Sequence, residues 1–190
     1  ENAGRLHKAA DVFRDIDTVR RHGFKNLSVD LIAGLPGQQL ETWKRNLDDV
    51  ERVLPEHVSI YMLDVEERSA WGRSDSEFQD DEVYVAFYTE AAERLAKCGY
   101  VHYEISNWAL PGFQCAHNLK YWTLEPYIGF GEDAHSFDGR TRWESGQSDR
   151  QPFQEDERFF VGLRRWRGIR PTASEWRQFG RPVARFVGPG

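Results

Sequence analysis

Residues 27–37 read LSVDLIAGLPG, and this stretch decides the fold. Residues 27–33 form a nearly continuous apolar run rich in branched side chains, which is typical of a strand buried on both faces in a parallel sheet. The glycines and proline of residues 34–37 then predict a turn. Asp30 is the one charged residue in the run, which makes it a candidate for a role other than packing.

Helices and strands alternate on both sides of this strand. The apolar spacing predicts helices over residues 9–21, 40–54 and 80–98, and further strands over residues 57–63 and 100–106. The order helix, glycine, aromatic residue, strand occurs twice, at RRHGFKNLSVDLI and at LAKCGYVHYEIS. The first 105 residues therefore predict an α/β architecture built from βα units.

The regular pattern weakens after residue 140, where QSDRQPFQEDE is polar. Two short helices are predicted beyond it, at ERFFVGLRRWRG and PTASEWRQFG. We therefore place a domain boundary near residues 145–155 and expect the second domain to be incomplete. The chain opens with Glu-Asn-Ala-Gly and its one methionine is Met62, so we also expect an N-terminally truncated fragment.

Composition limits the classes of function. The chain has 39% apolar residues and a net charge of −6, so it is expected to fold around a core, and its charge does not favour binding to nucleic acid. No apolar run is long enough to cross a bilayer and no signal peptide is recognisable, so the cytoplasm is expected. Cys98 and Cys115 form neither a disulfide framework nor a zinc motif, and both are expected to be free thiols.

Asp30 is the first candidate for a site. Parallel strands bring their carboxyl ends to one side of the sheet, where ligands bind. A carboxylate just before the turn could accept a hydrogen bond from a ligand hydroxyl or ammonium group. Capping of the turn, or pairing with an arginine, explains it equally well. Arg5 and His7 could reach the same place, although a surface position is the simpler explanation for both.

Residues 103–139 are rich in histidines, aromatic residues and glycines. His117 could ligate iron, with Phe113, Tyr121 and Trp122 lining a flat apolar ligand. A hydrogen-bonded structural role is the alternative for His117 and for His135. Cys115 could add a second metal ligand, but two ligands do not make a metal site.

Residues 129–134, GFGEDA, match the dinucleotide-binding pattern G-x-G-x-x-A. That pattern requires a buried strand before it and a helix after it, so that backbone amides meet a pyrophosphate. Here LEPY precedes it and HSFDG follows it, and Glu132 and Asp133 would repel a phosphate. We therefore do not assign a dinucleotide site to it.

Three motifs in the same order resemble one known family. VDLIAGLPGQ, YEISNWALPGFQCAHNLKYW and YIGFGEDAHSFDG resemble motifs of the radical S-adenosylmethionine heme chaperones (HemW-like). This family is related to the oxygen-independent coproporphyrinogen III oxidases (HemN-like). The resemblance covers roughly residues 3–145, with weaker similarity at ERFFVGLRRWRGI. HNLKYW is similar to the chaperone branch.

The resemblance implies a partial (β/α)6 barrel with a smaller C-terminal domain. Residues 1–105 would be the second half of the barrel, residues 106–150 a segment packed on it, and residues 151–190 the incomplete start of a HemN-like domain. S-adenosylmethionine and a 4Fe-4S cluster would bind at the carboxyl ends of the strands. The positions matching cofactor contacts are Arg5, Asp30, Met62, Leu63 and Asp64. His117 matches the position expected to bind heme.

The sequence also departs from the family pattern. The CxxxCxxC loop that holds the cluster is absent from this chain, and neither Cys98 nor Cys115 resembles it. These 190 residues therefore cannot hold the cluster by themselves. The glycine-rich motif also carries Glu132 and Asp133 where small residues are usual.

The resemblance implies a chaperone that binds heme and transfers it to a respiratory hemoprotein, membrane-associated recipients included. His117 would be an axial ligand of the heme iron or its near neighbour. A chaperone would not oxidise coproporphyrinogen, whereas the alternative is a radical enzyme of the HemN type that decarboxylates it. A third reading is an inert truncated chain, which would aggregate through an unpaired edge strand.

Overall fold

The computed structural model describes residues 8–65, Arg73, residues 80–145 and residues 151–152. Its elements, in chain order, are α1 (Ala9–Arg21), β1 (Ser28–Ala33), α2 (Leu40–Val53), β2 (His57–Met62), α3 (Asp81–Lys97), β3 (Val101–His102), β4 (Asn107–Ala109), α4 (Ala116–Thr123), β5 (His135–Phe137), β6 (Thr141–Glu144) and β7 (Gln151–Pro152). The two predicted C-terminal helices, and Arg5 and His7, lie outside the described residues.

The main sheet has the strand order β1-β2-β4-β3. β1 and β2 are parallel and are joined through α2, as the βα pattern predicts. β4 is antiparallel to both β2 and β3, so this half of the sheet is not built from βα units. β5, β6 and β7 form a separate antiparallel sheet. The described chain is thus a mixed α/β fold.

The predicted strand over residues 100–106 is wrong in its length. Its first part is the two-residue β3, and the chain then bends at residues 104–106 and returns as β4. Glu104 accepts a hydrogen bond from the Ser106 backbone N–H at 3.1 Å and another from the Asn107 side-chain amide. These local bonds stabilise a bend where the alternating pattern alone predicts an extended chain.

The hydrophobic core lies between the helices and one face of the sheet. Trp43 of α2 stacks on Phe87 of α3 with ring centroids 5.9 Å apart, and its indole N–H donates to the Phe87 carbonyl at 2.8 Å. The strands contribute Val58, Ile60 and Trp108, which are all buried. Removal of this apolar surface from water is the main force that holds α2 and α3 on the sheet.

The other face of β1 is open. Ser28, Asp30 and Ile32 alternate with Val29 and Leu31 and are exposed, so the expectation that β1 is buried on both faces is wrong. Side chains of a strand point alternately to its two faces. The helices pack on the face of Leu31, and Asp30 lies exposed on the opposite face.

The turn after β1 is closed by Gln38. Its buried side-chain oxygen accepts the backbone N–H groups of Gly34 at 2.7 Å and Leu35 at 3.2 Å. Gly34 has a φ of +85°, and a Cβ added there would overlap the buried ring of Tyr84. Both facts restrict this position to glycine.

Candidate functional site

Polar side chains from three strands share the open face of the sheet. The register pairs Ser28 with His57 and Asp30 with Ser59, and Ser59 in turn pairs with Asn107 on β4. Because paired residues of adjacent strands point to the same side, these five side chains form one polar surface. His57, Ser59 and Asn107 are buried within it, and Asp30 is exposed.

A chain of hydrogen bonds crosses this surface. His57 lies between Ser28, whose Oγ is 2.9 Å from Nδ1, and Tyr103, whose hydroxyl is 2.7 Å from Nε2. Burial lowers the pKa of His57, with the charge of Asp30 acting in the opposite direction. Burial raises the pKa of Tyr103 to about 12. The imidazole is therefore neutral and the phenol protonated at neutral pH.

Glu104 lies next to Tyr103, at the end of this chain of hydrogen bonds. Burial raises the pKa of its carboxyl group to about 7, against weaker stabilisation of the charged form by the Ser106 and Ile105 backbone. It also accepts a hydrogen bond from the Asn107 side-chain amide. Glu104 can therefore change its charge close to neutral pH.

Asp30 has neither of the ordinary partners that the sequence left open. Its contact is the Ser28 hydroxyl, at 3.5 Å, and the described residues provide no arginine partner. The turn that Asp30 could have capped is closed by Gln38. Its carboxylate therefore stays on the open face, three positions before the end of β1.

Leu63 and Asp64 directly follow β2, next to the end of β1. The Leu63 N–H donates to the Ala33 carbonyl at 2.8 Å, and Tyr84 donates its hydroxyl proton to the Leu63 carbonyl at 3.4 Å. Asp64 is exposed. The structure thus places Asp30 on β1 and Leu63 and Asp64 just after the neighbouring strand β2, whereas Arg5 lies outside the described residues.

His117 is exposed on the first turn of α4. Its Nε2 atom is 3.1 Å from the hydroxyl of Tyr121, one helical turn later, and the two rings meet edge to face with centroids 5.0 Å apart. Tyr121 contacts Tyr127 at 4.5 Å between centroids, and Tyr127 contacts Phe137 at 6.1 Å. His117 is therefore the end of a row of aromatic rings.

The other predicted neighbours of His117 have different places. Phe113 is exposed in the loop before α4 and Trp122 is half-buried. Cys115 is the N-cap residue of α4, and His135 begins β5. In the part of the chain that the structure describes, no group of three or more histidines, cysteines or carboxylates could hold a metal ion.

The GFGEDA segment is a loop that leads into a strand. Residue 129 donates its N–H to the Ser136 hydroxyl at 3.0 Å, and β5 begins directly after Ala134. A dinucleotide fingerprint needs a helix at this point. The segment therefore lacks the helix that this fingerprint requires.

Sequence analysis missed His57, Tyr103 and Glu104. A usable signal was present, because polar and apolar residues alternate in HVSIYM as they do in SVDLIA. Such alternation indicates a strand with one face off the core.

No helix among the described residues is long and apolar enough to cross a membrane.

Comparisons with known proteins identify the relatives of this chain. It is 38% identical over 148 residues to the heme chaperone HemW of Bacillus subtilis, a match covering 75% of this chain and 38% of that protein. It is 34% identical over 132 residues to HemW of Escherichia coli, covering 70% of this chain and 35% of the relative. No family profile matches the chain.

A mitochondrial protein and a solved structure are also similar to this chain. The mitochondrial radical S-adenosyl methionine domain-containing protein 1 of Bos taurus is 34% identical over 136 residues, covering 70% of this chain and 31% of that protein. The fold is similar to coproporphyrinogen III oxidase (HemN) from Escherichia coli, described as a radical SAM enzyme. The TM-score is 0.59 at 18% identity, over 74% of this chain and 36% of the oxidase.

The oxidase comparison shows the fold, and the sequence comparisons show the kinship. In each of these curated relatives the match spans between 31% and 38% of the protein's length. The resemblance seen in the three sequence motifs is confirmed: the chain is a homologue of the proteins named heme chaperone HemW.

Proposed function

We propose that this chain is the heme-handling part of a chaperone that binds heme and transfers it to a recipient hemoprotein. Its relatives carry the name heme chaperone. The observation that carries the proposal is His117, an exposed imidazole at the end of the row Tyr121, Tyr127 and Phe137. A histidine ligates heme iron, and aromatic rings pack against a flat apolar ligand.

The geometry also suits transfer. Binding of iron through Nε2 would replace the weak hydrogen bond from the Tyr121 hydroxyl, and this costs little because both groups are exposed. An exposed axial ligand lets a histidine of the recipient approach the iron from solvent. The recipient, its membrane association and a cytoplasmic location are parts of the proposal.

The test is a heme titration followed by the Soret band, on the whole chain and on its His117→Ala variant. Loss of an axial ligand is expected to shift the band and weaken binding at least about tenfold. His22→Ala is a matched control, because His22 is also exposed and bonded within its own helix, to the Thr18 carbonyl. An unchanged spectrum and affinity in His117→Ala would rule out this role.

The resemblance to radical S-adenosylmethionine proteins also implies an S-adenosylmethionine site and a 4Fe-4S cluster. Two cysteines, Cys98 and Cys115, do not provide the three thiolates of a 4Fe-4S site, so we assign no cluster to these residues. S-adenosylmethionine would meet Asp30, Leu63 and Asp64 at the ends of β1 and β2, with Arg5 as a further contact. Equilibrium dialysis with labelled S-adenosylmethionine tests this, and equal binding by Asp30→Asn would remove Asp30 from the site.

The HemN-type oxidase is the second candidate, favoured by the similarity of fold. A chaperone yields no protoporphyrinogen, so product analysis with coproporphyrinogen under anaerobic conditions separates the two functions.

We further propose that residues 1–105 are the second half of a barrel, with residues 106–150 packed on it and a smaller domain starting near residue 151. Limited proteolysis that leaves residues 145–155 uncut would contradict this division.

A further inference from the structure

The helix that carries His117 has little hydrophobic anchorage. α4 has eight residues and none of them is buried. Its N-cap residue, Cys115, makes no side-chain hydrogen bond to the first turn. Helices this short are not stable alone in water. The position of α4 must therefore depend on a few contacts with the rest of the chain.

One such contact comes from the open face of the sheet. The Tyr103 hydroxyl oxygen accepts the backbone N–H of Cys115 at 3.3 Å, and the Asn118 side chain is a further hydrogen-bond partner. Tyr103 thus bonds the backbone of the N-cap residue itself, as the third helical residue does in a capping box. The same hydroxyl lies 2.7 Å from Nε2 of His57, which is buried on β2.

The donors and acceptors of this network can be assigned in order from Tyr103 through His57 to Ser28. Because the Tyr103 oxygen accepts the Cys115 N–H, its own proton is available for Nε2 of His57. The neutral imidazole then carries its proton on Nδ1 and donates it to the Ser28 oxygen at 2.9 Å. This direction also leaves the Ser28 hydroxyl free to donate its own proton to Asp30 at 3.5 Å, so it satisfies each of these groups.

We infer that Tyr103 and His57 are positioning residues that hold α4, and with it His117, in place for heme. This inference rests on the proposed function and adds two residues outside the HNLKYW segment. His57 orients the Tyr103 hydroxyl, and Tyr103 holds the first turn of α4. Neither residue needs to touch the ligand.

The first test measures the helix without heme. In Tyr103→Phe, hydrogen exchange of the amides of residues 119–123, which are the hydrogen-bonded ones of α4, is expected to quicken about tenfold, because one bond that anchors the helix is lost. Tyr100→Phe is a matched control, since Tyr100 is a buried tyrosine whose hydroxyl donates to the Pro55 carbonyl. Unchanged exchange in Tyr103→Phe overturns the inference.

The second test is a double-mutant cycle on heme affinity. Tyr103→Phe is expected to weaken heme binding about tenfold in the whole chain and to have no further effect in the His117→Ala background. If Tyr103→Phe lowers the heme affinity equally in both backgrounds, or in neither, the inference about Tyr103 is wrong while the proposed function stands. An unaltered His117→Ala titration overturns the proposed function instead.

A pair of variants at His57 leaves Tyr103 intact. His57→Gln keeps a side-chain acceptor for the Tyr103 proton, whereas His57→Leu has about the same size and no acceptor. We expect His57→Gln to retain the wild-type Soret band and slow exchange in α4, and His57→Leu to lose both. Identical behaviour of the two variants would show that the hydrogen bond does not position α4.

Discussion

Glu104 is a described residue whose charge changes with pH near neutrality. Its pKa of about 7 results chiefly from burial. Because the carboxyl pKa in the folded protein lies above the ordinary value of 4.5, the folded state binds the proton more tightly than the unfolded chain. The stability that Glu104 contributes through this proton is fully present below about pH 4.5 and is lost as the pH rises through about 7.

Replacement of Glu104 by glutamine should remove this pH dependence. Relative to the wild type, Glu104→Gln is expected to gain up to about 3 kcal/mol in free energy of unfolding between pH 4.5 and pH 8. Urea denaturation at a series of pH values measures the difference. Glu93→Gln, at an exposed position on α3, is the control. Parallel pH profiles for wild type and Glu104→Gln would contradict the assignment.

Individual site residues were harder to predict from the sequence than helices and strands were. Asp30 and His117 drew attention by their residue type and motif, and the structure places both on exposed surfaces. His57 and Tyr103 are 46 positions apart in the sequence and meet only because β2 and the β3–β4 turn fold together. Local patterns carry no information about such a pairing, so its chemistry could not be predicted.

At the scale of elements, Arg94 clamps α2 to α3. Its guanidinium group bonds Glu51 and Asp48, each at 2.6 Å, and the Lys44 carbonyl at 2.9 Å. The Arg94 side chain is 16% exposed, so solvent screens these contacts less than those of an open surface pair. The hydrogen bond from Arg94 also lowers the pKa of Glu51.

Removal of this clamp should weaken the pairing of the two helices. Arg94→Ala is expected to lower the free energy of unfolding by about 1–3 kcal/mol, since three hydrogen bonds are lost. Thermal or urea unfolding measures the change. Arg21→Ala, which breaks an exposed pair with Asp17, should cost no more than about 1 kcal/mol. Equal losses in the two variants would show that the clamp is no stronger than a surface pair.

Most elements followed from sequence periodicity. The three long helices and the strands β1 and β2 lie within a few residues of their predicted positions, because their apolar spacing is set by the same core. The β3–β4 hairpin was missed, because its bend depends on hydrogen bonds that the Glu104 side chain accepts. Periodicity describes burial, and it does not detect a turn made by a polar side chain.

At the scale of the whole molecule, β1 is an edge of the main sheet in the described part of the chain. Its open face carries Ile32, which is 40% exposed. An unpaired edge strand with exposed apolar residues promotes association between chains. The net charge of −6 opposes association, but repulsion over the whole surface does not cover the edge.

Ile32→Lys should therefore reduce self-association of the isolated chain. A charge on the edge strand is expected to lower light scattering at a given concentration while leaving the far-ultraviolet circular dichroism unchanged. Ile128→Lys is the matched control, because it makes the same change at a 70% exposed loop residue. If both variants lower the scattering equally, the edge strand is not the contact.

The turn that Gln38 closes does not allow Gly34 to be replaced by another amino acid. A positive φ disfavours every other amino acid there, and the ring of Tyr84 occupies the space of any side chain. In a library of random variants selected for folding, codon 34 should therefore stay glycine, even where a smaller residue replaces Tyr84, because the positive φ remains.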